Sequence, residues 1–137
     1  MGKEKIRFFN RTRINLKPFF PSARKLAKRI LSRFKGEACF IFVSAEEIKK
    51  LNGKYFSKNS LTDVITFNLP LLHSREIGEV YICVPKAEKQ ARKYGHHLYS
   101  ELLILTAHGC LHLLGHEDYT PALRKAMNIK TVRLLKK

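Results

Sequence analysis

Between Ser100 and Leu114 apolar residues fall on every side of a helix. Leu102, Leu103, Ile104, Leu105, Ala107, Cys110, Leu111, Leu113 and Leu114 leave it no polar face. Such a helix is buried all round, so other elements have to wrap it. Its apolar run Leu102–Ala107 is far shorter than the roughly 20 residues that span a bilayer. It reads as a core helix, with Gly115 as its C-terminal stop.

The rest of the chain supplies the wrapping. Lys5–Asn10 reads as a short first strand. Pro18 and Pro21 bracket a turn, and Ser22 is placed to cap a helix running to about Phe34 and ended by Gly36. Its apolar positions Ala23, Leu26, Ala27, Ile30, Leu31 and Phe34 follow helical spacing. Arg24, Lys25, Lys28, Arg29 and Arg33 fill the opposite face. Ala38–Val43 is apolar and β-prone, a buried strand. Ser44 and Glu47 form a capping-box pattern for a helix to roughly Lys54, with Ile48, Leu51 and Tyr55 toward the core. Lys58–Leu61 reads as loop, Asp63–Leu69 as a two-faced strand, Pro70–Ile77 as loop and Gly78–Val84 as strand. Pro85 fits the first turn of a helix over Lys86–Tyr94 that Gly95 stops. Thr120 and Pro121 are a matched cap and first-turn pair for a last helix to about Leu135. Strands and helices mix without strict alternation, which predicts an α+β or mixed α/β layered domain.

At 137 residues, 45% hydrophobic and 28% charged, the chain has the size and composition of one domain with its own core. Wholesale disorder, a collagen-like repeat and a disulfide-dense miniprotein are excluded. Cys39, Cys83 and Cys110 are odd in number and widely spaced, the pattern of reduced thiols in a cytosolic protein. The N-terminus shows no signal-peptide pattern, so the cytoplasm is the expected compartment.

The net charge of +16 is unevenly spread: residues 1–35 carry +11, residues 36–118 carry −1, and residues 119–137 carry +6. Cationic flanks suit a polyanion partner, because neutralised phosphates release counterions. Arg24, Lys25, Lys28 and Arg29 are candidate contacts to a nucleic-acid backbone. A membrane surface is disfavoured, since no helix joins a basic face to a bulky aromatic stripe.

Two imidazoles interrupt the apolar helix. His108 and His112 are four residues apart, so they share a helix face at the separation that grips one metal ion. Burying both without a partner is unfavourable. Gly115 lets the chain turn back, and Asp118 can approach the same ion from a third direction. His116 is the alternative third ligand, and Glu117 is a candidate proton acceptor. Three protein ligands plus a water is the arrangement of a catalytic metal. His96 and His97 read as surface residues near a helix end, and His73 as a loop residue. Zinc peptidases of this spacing carry Glu after the first His as general base. Here that position is Gly109, which leaves metal-activated hydrolysis of another substrate.

The stretch His108-Gly109-Cys110-Leu111-His112-Leu113-Leu114-Gly115-His116-Glu117-Asp118 resembles the YbeY family signature H-G-x-L-H-L-x-G-[YH]-D-H. Leu51-Asn52 with Thr62-Asp63-Val64-Ile65-Thr66-Phe67 is similar to that family's L-N and T-D-V-L-S-F segments. Gly78-Glu79-Val80-Tyr81-Ile82, with Ala87 and Gln90-Ala91, is similar to its G-D-I-x-I strand and following helix. The resemblance spans about residues 50–118.

The resemblance implies an α+β fold, with a small mixed β-sheet, a helical layer and a buried central helix carrying the metal ligands. It implies one domain over residues 1–137. The implied activity is a metal-dependent, single-strand-specific endoribonuclease of the cytoplasm, acting in 16S and other ribosomal RNA maturation, with the ribosome or a ribosomal protein as partner. The implied cofactor is one zinc ion on His108, His112 and the third position, with iron, manganese or nickel as alternatives. Two departures stand out. Asp118 occupies the place of the family's third His, and Phe56 follows Tyr55 where the family has an Arg tied to catalysis. Lys58 is the candidate replacement for that charge. A metallopeptidase-like hydrolase and a non-enzymatic ribosome-binding protein with a structural metal stay open as other classes.

Overall fold

The computed structural model describes residues 5–56, 62–70 and 76–136. In chain order its elements are β1 (Ile6–Asn10), α1 (Phe20–Ile30), β2 (Gly36–Val43), α2 (Ala45–Phe56), β3 (Val64–Pro70), β4 (Glu76–Cys83), α3 (Val84–Tyr94), α4 (Leu98–Leu113) and α5 (Pro121–Leu135). The strands form one sheet of order β1-β2-β4-β3. β1, β2 and β4 run parallel, and β3 returns antiparallel along β4.

β2 and β4 lie inside the sheet; one of their faces is fully covered, while the other, with Glu37, Cys39, Glu79 and Tyr81 partly exposed, is buried only toward Val43 and Cys83. On one face Phe40, Phe42, Val80 and Ile82 meet residues of α1, α3, α4 and α5. On the other, Ile41, Val43 and Cys83 meet Ile48 of α2 and Ile65 of β3. Phe19, Phe40 and Phe42 are fully buried, each worth about 1.5–3 kcal/mol of transfer free energy. The fold is thus α+β, a small mixed sheet with a helical layer, and α4 runs through its interior. Leu102, Leu105, Ala107, Cys110, Leu111 and Leu113 are almost wholly excluded from water.

Gly109 sets how closely α4 seats on the sheet. A Cβ at this position would lie 2.4 Å from Cγ1 of Val80. Only a hydrogen fits, so the helix rests directly on β4.

Several boundaries differ from the sequence expectation. α1 begins at Phe20 with Pro21 in its first turn, so Ser22 lies inside the helix and does not cap it. A first-turn N–H has no intrahelical partner, and a proline there loses nothing. The helix ends at Ile30, and Gly36 opens β2 rather than closing α1. Residues 70, 76 and 77 are strand, not loop; β3 is an edge strand, where a proline is tolerated. Residues 71–75 and 58–61, with the expected loops there and with His73 and Lys58, lie outside the described residues. The Ser44 Oγ caps α2 by accepting from the Glu47 N–H at 3.1 Å, while the Glu47 carboxylate pairs with Arg11. Tyr55, expected in the core, is 53% exposed. Asn52 takes the buried position one turn after Ile48, and Tyr55 rests edge-on against Phe67 at 4.9 Å.

The basic face of α1 is not uniformly solvated. Arg24 donates to the Ile6 carbonyl at 2.7 Å and lies over the Phe8 ring. Arg29 donates to the Leu134 carbonyl at the end of α5. Both guanidiniums therefore tie elements together, while Lys25 and Lys28 are exposed. Cys39, Cys83 and Cys110 are free thiols, and burial pushes each above the ordinary thiol range. Among the described residues no helix is long and apolar enough to cross a membrane.

Candidate active site

The turn after α4 builds the site. Gly115 has φ +96°, a left-handed conformation that only a residue without Cβ adopts freely. The Gly115 N–H donates to the His112 carbonyl and the His116 N–H to the Leu111 carbonyl, both at 3.0 Å, which satisfies carbonyls at the helix end. The chain so returned places the His116 carbonyl beside the His112 ring, where it accepts from Nδ1 at 3.0 Å. A carbonyl only accepts, so the Nδ1 carries the proton and a neutral ring has its lone pair on Nε2. That Nε2 faces Oδ2 of Asp118 at 3.5 Å.

Two lone-pair bearers facing each other need a cation or a proton between them. Two donor atoms each 2.0–2.1 Å from a tetrahedral ion lie about 3.4 Å apart, so the His112–Asp118 pair has the span of two ligands on one ion. His108 lies one turn earlier and is half-buried. Burial holds its pKa below the usual imidazole value; Asp63 opposes this, His112 adds to it, and Asp118 and Glu101 oppose it. The neutral ring is the ligating form. Among the described residues no three His, Cys, Asp or Glu side chains converge tightly enough to enclose an ion. The sequence expectation that His108, His112 and Asp118 converge on one ion is therefore not reproduced: among the described residues His112 and Asp118 form a close pair, and His108 does not line the cleft beside them.

His116 turns elsewhere. Its Nε2 lies 3.5 Å from Nζ of Lys130 on α5, and burial, then Lys130 and His112, lower its pKa. Glu117 is exposed and lines a cleft of about 830 Å³ together with His112 and Asp118. Arg24, Lys25, Lys28 and Arg29 do not line this cleft. His97 is exposed and caps α4, accepting from the Tyr99 N–H at 3.0 Å. His96 is partly exposed near the start of α4, as expected, but it is also engaged, with Nε2 2.7 Å from the Glu101 carboxylate. Glu101 is itself buried at the start of α4, and a buried carboxylate needs such a partner.

Sequence reasoning missed the polar wall opposite α4. Asn52 of α2 is 6% exposed and lines the cleft. Asp63 fixes the start of β3: its carbonyl accepts from the Cys83 N–H at 2.8 Å and its carboxylate from Gln90 Nε2 at 3.3 Å. Thr66 brings a buried Oγ1 with no hydrogen-bond partner among the described residues. Asn68 donates to the Leu113 carbonyl at 3.3 Å, tying β3 to the end of α4. Leu51-Asn52 and Thr62-Asp63 were visible as segments of the resemblance, but no spacing rule joins them to His112.

A small α+β domain, with a paired-histidine helix ending in a glycine turn beside a polar cleft, is the class that fold and site define. The family model for Endoribonuclease YbeY matches residues 12–137. The chain is 37% identical over 107 residues to Endoribonuclease YbeY of Elusimicrobium minutum, covering 75% of each. It is 32% identical over 133 residues to Endoribonuclease YbeY of Phytoplasma mali, covering 97% of this chain and 88% of that one. The solution structure of TM1509 from Thermotoga maritima matches with a TM-score of 0.65 at 27% identity, over 96% of this chain and 87% of that one. The chain belongs to the YbeY endoribonuclease family.

Proposed function

We propose that this protein is a zinc-dependent endoribonuclease that hydrolyses single-stranded ribosomal RNA precursors, 16S RNA among them, in the cytoplasm. Family membership makes it an RNA-processing endoribonuclease with a role in ribosome biogenesis. The observation that carries the metal is the placement of the His112 ring, with Nδ1 3.0 Å from the His116 carbonyl and Nε2 3.5 Å from Oδ2 of Asp118. His108, His112 and Asp118 would hold the ion. A carboxylate in place of a third imidazole makes the set harder and more negative, with iron, manganese and nickel as the competing ions. A divalent ion bound there acidifies water and polarises a phosphoryl oxygen.

The chain's own groups do the rest. The His116 carbonyl holds the His112 ring in orientation. Glu117, on the cleft wall, takes the proton that the attacking water releases. Lys25 and Lys28 hold the RNA backbone without reading bases, and the ribosome or one of its proteins delivers the substrate. The peptidase reading is disfavoured, because the place of its general base is Gly109, packed on Val80.

The test is cleavage of single-stranded RNA by the full chain. Chelation is expected to stop cleavage, zinc to restore it, and His112→Ala to abolish it, with a peptide substrate left intact. Cleavage that persists in protein shown metal-free by elemental analysis overturns the metal mechanism. Cleavage of the peptide in place of RNA returns the function to the peptidase class.

A further inference from the structure

Two large rings stand exposed on the wall of the cleft that His112 and Asp118 line. Phe56, the last residue of α2, is 47% exposed, and Tyr119 is 73% exposed. Among the described residues, the ring of Phe56 stacks on Phe67 at 6.0 Å and 17°. Phe67 is in turn wedged by the edges of Tyr55 at 4.9 Å and Tyr81 at 5.8 Å. Tyr119 is fixed in sequence between Asp118 and Thr120, whose Oγ1 caps α5 by accepting from the Leu123 N–H at 3.1 Å. Phe67 thus positions the Phe56 ring, the cap of α5 fixes the backbone beside Tyr119, and both residues add exposed aromatic surface to a cleft that Asn52, Asp63, Thr66 and Asn68 also line. Exposed aromatic faces of this kind bind what is flat and unpaired.

We infer that Phe56 and Tyr119 are nucleobase-stacking platforms, which take unpaired bases of single-stranded RNA beside the phosphodiester presented to His112 and Asp118. The inference rests on the ribonuclease reading above and supplies its strand selectivity. Bases in a duplex are already stacked on one another and have no face to offer. Stacking is indifferent to base identity, because every base has a π-face, so the two rings select for single strands without selecting a sequence.

The test is equilibrium binding of fluorescein-labelled decauridylate, and of a ribose-phosphate decamer without bases, to the full chain under chelation. The wild type is expected to bind the base-bearing strand roughly tenfold more tightly. Tyr119→Ala and Phe56→Leu should each lose most of that preference with affinity for the abasic strand unchanged. Tyr119→Phe and Phe56→Tyr should keep it. Phe56→Leu retains the apolar contact to Phe67, and thermal melts show whether it folds. Equal wild-type affinity for the two strands, or a preference that survives Tyr119→Ala and Phe56→Leu, overturns the inference and assigns the rings to another contact. Metal-loaded wild type is assayed for cleavage in parallel. Cleavage without base preference overturns the stacking role alone, whereas neither binding nor cleavage overturns the ribonuclease reading with it.

Discussion

His112 presents Nε2 to Oδ2 of Asp118 at 3.5 Å because its Nδ1 is committed to the His116 carbonyl in the turn that follows the helix. One short turn therefore does two things. Its backbone fixes the tautomer, and its side chain supplies the opposing donor. The position of Gly115 makes both possible, since the chain must reverse there through positive φ.

Metal content follows from that arrangement. His108→Ala and His112→Ala should reduce bound zinc from about one ion per chain to near zero. Asp118→Ala should weaken retention more than His116→Ala, because His116 acts through its carbonyl, which alanine keeps. Elemental analysis after dialysis against a competing chelator checks the order; the reverse order reassigns the third ligand.

Gly109→Ala should destabilise the fold by about 1–3 kcal/mol, the usual effect of overpacking. Its Cβ would press on Cγ1 of Val80. Val80→Ala removes that obstacle, so the double variant should be more stable than the sum of the single effects. Urea midpoints of the four proteins measure the coupling.

Burial lowers the His108 pKa, so the unfolded chain binds a proton there that the folded, metal-free protein refuses. This contribution is fully present above the unfolded value of about 6.5 and is lost as pH falls through the lower folded value. Chelator-stripped wild type should therefore lose stability on acidification across that window more steeply than His108→Gln. Parallel pH profiles of the two denaturation midpoints would count against a buried neutral ring.

RNA affinity should fall steeply with salt. Lys25→Gln and Lys28→Gln should each reduce the log–log salt slope by about one. Arg29→Gln should show itself first in thermal stability, because the guanidinium holds the Leu134 carbonyl. A hydrogen bond to a charged group is worth about 1.5–3 kcal/mol. A flat salt dependence would mean that the basic flanks do not touch phosphate.

Helical and strand periodicity made most elements legible. Leu102 through Leu113 could belong only to an enclosed helix, and the structure places it there. Gly95 and Thr120 marked their helix ends because a left-handed residue and a side-chain cap leave local signatures. Gly36 did not, since a glycine after a basic helix reads equally as a stop or as the first residue of a strand. Tyr55 was misplaced because periodicity gives a face but not how far the neighbouring sheet extends under it. Within the site, the His108–His112 spacing was local and visible. Asn52, Asp63 and Thr66 reach the cleft only through the pairing of β3 with β4 and the packing of α2 beside them. Arg24 and Arg29 looked like the rest of their charged face, because their partners are distant backbone carbonyls.

The contact of Gly109 with Val80 also limits what this scaffold can become. A carboxylate acquired after His108 would be aimed into the sheet, so a single codon change cannot convert the helix to protease-like chemistry. Divergence is left to the cleft wall and its rim, where residues can be exchanged without unseating the helix.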